Sequence, residues 1–248
     1  MTDWPHDEKF AFTGPLHGGG QATHDIYVKG DGPPVILLQE LPGIGPQTLD
    51  LADRLVARGF RVCLAHFLGP FGRLSFVGNT ARVLCVRREF RIFARGAESP
   101  IGAWFRALVA HVSAREGGAQ VGLIGMCLTG GFALALMSED AVAGGVASQP
   151  SLPVLGGDAL HMDAGQIDAA RAGMASKGPG LAMRYSGDPL STARHMAALR
   201  RTFGPHLDTV EFDGTAHALL TVHFHEPAYR RMEDYLAARL GLAPAQAP

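Results

Sequence analysis

The sequence predicts an α/β architecture: a mostly parallel central sheet with helices on both faces. Three observations lead there. Short, continuous apolar runs such as "PPVILLQE" (33–40), "FRVCLAHF" (60–67) and "QVGLIGM" (120–126) read as strands buried on both sides. Segments of helical periodicity separate them. The 32 glycines supply tight turns between elements.

The elements follow in order. "HDIYVKG" (24–30) alternates apolar and polar residues and reads as an antiparallel strand near an edge. The "HGGGQ" before it (17–21) reads as a flexible turn, since it precedes a strand and does not join strand to helix. After the first buried run, residues 46–59 carry apolar positions at Leu49, Ala52, Leu55 and Val56 and end on Gly59, as a helix would. Residues 80–96 show a helical stripe at Val83, Val86, Phe90 and Phe93. Residues 99–117 open with Ser99 as N-cap and Pro100 at the first helical position, with a stripe through Trp104, Phe105, Leu108, Val109 and Val112. "LTGGFALALMSE" (128–139) reads as a helix behind the third buried run, and "AVAGGVAS" (141–148) as a weaker strand. A short helical patch at 166–175, the strand "GLAMRYSG" (180–187) and a helix over 191–204 capped by Ser191 come next. The strand "LDTVEFDG" (207–214), a turn around His217 and a helix over 226–241 complete the series, and the tail "LAPAQAP" is expected to be loose.

Bulk properties narrow the class. One domain over 1–248, with its core in about 20–240, suits this length. The net charge of -1 favours neither nucleic acid nor an anionic membrane as partner. No apolar run approaches the ~18 residues that span a bilayer. The N-terminus "MTDWPHDEKF" is polar and acidic, unlike a signal peptide. Cys63, Cys85 and Cys127 are odd in number and widely spaced, which suits reduced thiols in the cytoplasm. Without a CxxC pair, no structural zinc is expected.

Parallel sheets gather their chemistry at the carboxyl ends of the strands. Four residues fall there: Glu40, Cys127, Asp188 and His217. The last three stand in the order nucleophile, acid, histidine. A thiol attacks as thiolate, a form favoured by a helix N-terminus and a nearby histidine. The histidine takes the proton, and the aspartate fixes its tautomer. Each residue also has a plainer reading: Cys127 as core packing, Asp188 before Pro189 as a turn residue, His217 as a surface histidine, Glu40 as an ordinary strand-end charge. His217, His223 and His225 together suggest a metal, but no carboxylate lies at helical spacing to complete a site.

The motifs "GMCLTGG", "LLQELPG", "YSGDP" and "DGTAHALL", in this order, resemble those of the dienelactone hydrolase family, over roughly residues 20–240. The resemblance implies the α/β-hydrolase fold without a large cap domain, no cofactor, and a small-molecule ester or lactone as substrate. It implies Cys127 as nucleophile, His217 as base, Asp188 as its orienter, and Glu40 as the acid that helps activate the thiol. It implies an oxyanion hole from the N–H groups of Leu128 and Leu41. Two positions depart from the family pattern. Thr129 stands where a second glycine is usual, so a roomier turn is expected, and Thr221 stands where the family has an arginine for the substrate carboxylate. Arg82, Arg87, Arg88, Arg91 and Arg95 are substitutes for that arginine, or a solvated helix face. An acyl-transfer enzyme and a non-catalytic binding protein of the same fold are the alternatives. A glutaminase-like amidotransferase would want His-x-Glu, and Leu219 stands two residues after His217.

Overall fold

The structure is a computed structural model, and it describes residues 4–41, 43–74, 99–151, 160 and 162–243. Eight strands form one sheet: β1 (Glu8–Pro15), β2 (Gln21–Lys29), β3 (Pro34–Leu38), β4 (Arg61–His66), β5 (Val121–Met126), β6 (Val142–Ser148), β7 (Gly180–Tyr185) and β8 (Leu207–Phe212). Their spatial order is β1-β2-β4-β3-β5-β6-β7-β8. β2 runs antiparallel to β1 and to β4; all other pairings are parallel.

The central parallel strands β3, β5 and β6 are buried along their whole length because helices cover both faces of the sheet. Alternate residues of a strand point to opposite faces. Thus Ile36 and Leu38 of β3 and Val121 and Leu123 of β5 enter one core, while Val35, Leu37, Ile124 and Met126 enter the other. Helices α1 (Pro46–Arg58) and α6 (Glu226–Leu240) cover the second core, with Leu51, Leu55, Met232 and Leu236 buried there. Helices α2 (Ile101–Arg115), α3 (Gly130–Ala135), α4 (Ala164–Lys177) and α5 (Ala193–Phe203) cover the first through Trp104, Phe105, Phe132, Met174 and Leu199.

Several local expectations are corrected. β1, which was not among the expected strands, carries no apolar run; its burial alternates along its whole length, and it pairs with β2 as a hairpin. The "HGGGQ" segment is a turn, as expected, and joins the two strands of the hairpin, with Gly18, Gly19 and Gly20 at φ +85, +107 and +89. Helix α2 starts at Ile101 with Pro100 as the residue before it, so Ser99 lies one position outside the cap. Thr192, not Ser191, caps α5 by accepting from the His195 N–H at 3.2 Å. The Ser191 hydroxyl instead donates to the Pro150 carbonyl at 2.8 Å. The helix read over 128–139 is α-helical only as α3, between two 3-10 turns. The stripe at 80–96, with Cys85 and all five arginines, lies outside the described residues, as does the tail from 244. Cys63 is core, and burial pushes its thiol up to about 12.

Candidate active site

The sheet brings the four strand-end residues to one place. Glu40 lies two residues past β3, Cys127 directly after β5, Asp188 three residues past β7, and His217 in the loop after β8.

Cys127 has φ +52, one of two non-glycine residues among those described with positive φ. A side chain there is strained, and such strain persists only where surrounding structure over-determines it. The surroundings do so. A Cβ on Gly125 would stand 2.3 Å from the Thr129 carbonyl oxygen, so only glycine lets the chain fold back so closely after the strand. The turn is not roomier for its threonine. Thr129 has φ -89 and ψ -5, ordinary for any residue, and its side chain is buried. Its Oγ1 accepts the Met126 N–H at 2.9 Å and lies 3.0 Å from the Met126 carbonyl and 3.3 Å from that of Gln39, positions to which it can donate. The close approach falls one residue later, where a Cβ on Gly130 would be 3.0 Å from Pro150 Cα. Thr129→Ala should therefore leave the buried Met126 N–H unpaired and cost about 1–3 kcal/mol, read as a lower midpoint in urea denaturation. An unchanged midpoint would mean that the hydroxyl does not hold the turn.

His217 Nδ1 is 2.7 Å from Asp188 Oδ2. Asp188 Oδ1 accepts from the N–H groups of Leu190 at 2.8 Å and Ser191 at 3.0 Å. Burial would raise the Asp188 carboxyl, but these three hydrogen bonds outweigh it and hold the group below its ordinary value. Burial likewise opposes a charged His217, yet the bond to Asp188 and the nearby Cys127 sulfur raise it to about 10. The sulfur acts on the imidazole through a hydrogen bond and its charge, and the buried Nε2 meets no nitrogen or oxygen partner among the described residues.

Glu40 is 3% exposed. One oxygen accepts from Gln149 Nε2 at 2.9 Å, the other from the Thr221 hydroxyl. Burial pushes its carboxyl up, against the pull of those donors and of His217. The adjacent Gln39 accepts from the N–H groups of Phe67 at 2.6 Å and Leu68 at 3.1 Å, fixing the loop after β4 beside the site. Leu41 follows Glu40, and Leu128 is the middle residue of the 3-10 turn Cys127–Thr129. His225 is a helix cap, its Nδ1 accepting the Ala228 N–H at 3.3 Å, and His223 Nδ1 faces the Ala218 N–H at 3.4 Å.

The sequence profile of the dienelactone hydrolase family matches residues 24–226. The chain belongs to that family. Among solved structures, a dienelactone hydrolase-like promiscuous phosphotriesterase from metagenomic libraries matches with TM-score 0.60 and 16% identity, covering 90% of this chain and 94% of the other. A Xanthomonas campestris α/β serine hydrolase without lid matches with TM-score 0.60 and 14% identity, over 97% of this chain and 100% of the other. A Pyrococcus furiosus esterase does so with TM-score 0.60 and 14% identity, over 93% and 92%. No curated protein sequence matches the chain. These likenesses establish the α/β-hydrolase fold, and the family makes the protein an ester hydrolase.

Against the family pattern, Thr221 has a definite place: its hydroxyl holds the Glu40 carboxyl. Two neighbours of the site were not expected. Gln149, buried at φ +35, and Ser151, with Oγ 3.1 Å from Cys127 Sγ, both follow β6. Their place at the carboxyl end of a parallel strand is the signal that could have found them.

Proposed function

We propose that this member of the dienelactone hydrolase family cleaves a small ester or lactone through a thioester at Cys127, with His217 and Asp188 as its partners. The observation that carries this reading is the strained backbone of Cys127 at the end of β5, beside a histidine held by an aspartate. Packing alone gives no reason to keep a thiol at φ +52.

The sulfur attacks the carbonyl carbon as thiolate, with its proton on His217. The developing oxyanion meets the N–H groups of Leu128 and Leu41, each such donor contributing about 3–4 kcal/mol. His217 returns the proton to the leaving alkoxide. It then takes a proton from the water that attacks the thioester, and the acid leaves as the C–S bond breaks. Glu40 is buried, which pushes its carboxyl up against the pull of His217; when ionised it favours the imidazolium. A thiolate leaves more readily than most alkoxides, so activated esters and lactones suit it better than amides. A nucleophile of this kind works where thiols stay reduced, which supports a cytoplasmic setting.

The test is to quench a reaction with p-nitrophenyl acetate in acid and digest the protein. The peptide carrying Cys127 is expected to gain one acetyl group, removable by hydroxylamine. Turnover with acetyl on some other side chain, Ser151 included, would overturn the thioester.

A further inference from the structure

We infer that Ser151 is a further catalytic residue: its hydroxyl donates a hydrogen bond to the Cys127 sulfur, holding it before attack and receiving it again when the thioester breaks. The inference rests on the thioester reading above.

The geometry is direct. Ser151 Oγ lies 3.1 Å from Cys127 Sγ, and among the described residues this hydroxyl has no other hydrogen-bond partner. Ser151 is buried, where a hydroxyl needs a partner. Sulfur is a weak donor as S–H, whereas O–H to a sulfur anion is a charge-assisted bond, so the serine is the donor. Its position is not incidental. The Ser151 N–H donates to the Cys127 carbonyl at 3.1 Å, the Gln149 N–H to the Met183 carbonyl at 2.7 Å, and Ser191 Oγ to the Pro150 carbonyl at 2.8 Å. Three anchors thus fix the 149–151 segment to the nucleophile turn, to β7 and to the loop that carries Asp188.

The other groups near the sulfur are otherwise disposed. Both Glu40 oxygens are taken, by Gln149 and Thr221. Among the described residues, the buried His217 Nε2 has only the Cys127 sulfur acting on it. The hydroxyl thus gives the sulfur a hydrogen bond of its own, while the sulfur still acts on the buried imidazole of His217 beside it.

The role extends to the second half of the reaction. Water attacks the thioester carbonyl, one of its protons passing to His217 and its oxygen to the acyl carbon. The tetrahedral intermediate then collapses to the free acid. The C–S bond breaks with its electron pair on sulfur, and the Ser151 O–H meets that charge as it forms. Because the hydroxyl stabilises charge on the reacting atom and touches nothing that grips substrate, it should act on kcat and not on KM.

Ser151→Ala and Ser151→Thr test this, with steady-state kinetics on p-nitrophenyl acetate and the pH profile of inactivation by iodoacetamide. The alanine variant is expected to lose kcat by about tenfold to a hundredfold, the worth of one hydrogen bond to a charged group. Its KM should stay within about twofold, and its inactivation profile should move to higher pH. Threonine, which keeps the hydroxyl, should restore both. A Ser151→Ala enzyme with wild-type kcat and wild-type inactivation profile overturns the role of Ser151 alone. So does an equal loss in both variants with the profile unmoved, which would make the residue merely structural. Turnover that survives complete alkylation of Cys127 overturns the thioester reading instead.

Discussion

Replacing Cys127 by alanine is expected to reduce kcat for small esters by roughly 10^5-fold or more, the scale seen when a covalent nucleophile is removed from a triad. The fold should survive it. Alanine has the same Cβ at φ +52, so the turn carries no new strain, and the lost sulfur is half-buried and not core. Melting temperature and circular dichroism should therefore match wild type while p-nitrophenyl acetate turnover vanishes. His217 should report the change as well. Its elevation to about 10 draws on the sulfur as well as on Asp188, so its NMR titration should move down in the variant. Retained turnover would sink the nucleophile.

Asp188→Asn is expected to lower kcat by about ten-thousandfold through the tautomer of its partner. The carboxylate accepts the Nδ1 proton of His217 at 2.7 Å. An amide can turn its NH2 toward Nδ1 and leave the proton on Nε2, where it cannot accept one from the thiol. The pair also sets a pH dependence. His217 is raised from its ordinary 6.5 to about 10, so its contribution to stability is complete below 6.5 and is lost as pH rises through about 10. Asp188 is lowered, so its contribution is present above its ordinary 3.8 and is lost as pH falls below that. The gap in melting temperature between wild type and Asp188→Asn should be widest between those limits and close toward pH 10. A gap that is flat across this range would mean that the two groups are not coupled.

Much of this was legible in the sequence because buried parallel strands and the residues just after them carry strong local signals. "QVGLIGM" and "GLAMRYSG" are apolar in a way that only two covered faces allow, and Cys127 and Asp188 follow them. Cross-chain contacts carry no such signal. Thr221 was read as a missing arginine, but it is the partner of Glu40, a residue 181 positions away. Ser191 has the composition of a helix cap, yet the Pro150 carbonyl claims its hydroxyl. Thr129 was expected to loosen the turn because a branched Cβ is bulky, whereas its hydroxyl binds the strand end it follows. β1 was not expected because its sequence, EKFAFTGP, alternates weakly in hydropathy although its burial alternates along the whole strand.

The sheet order has a consequence for how the enzyme fails. Cys127 follows β5, which is buried along its whole length in the middle of the sheet, whereas the loop carrying His217 leaves β8, the outermost strand at one end and mostly only half-covered. Local opening comes most easily where burial is least. Fraying that starts at this margin carries the proton acceptor away while the thiol still stands on an intact strand. Loss of activity on warming is thus an event of the periphery, and what it leaves is a folded protein with an orphaned sulfur.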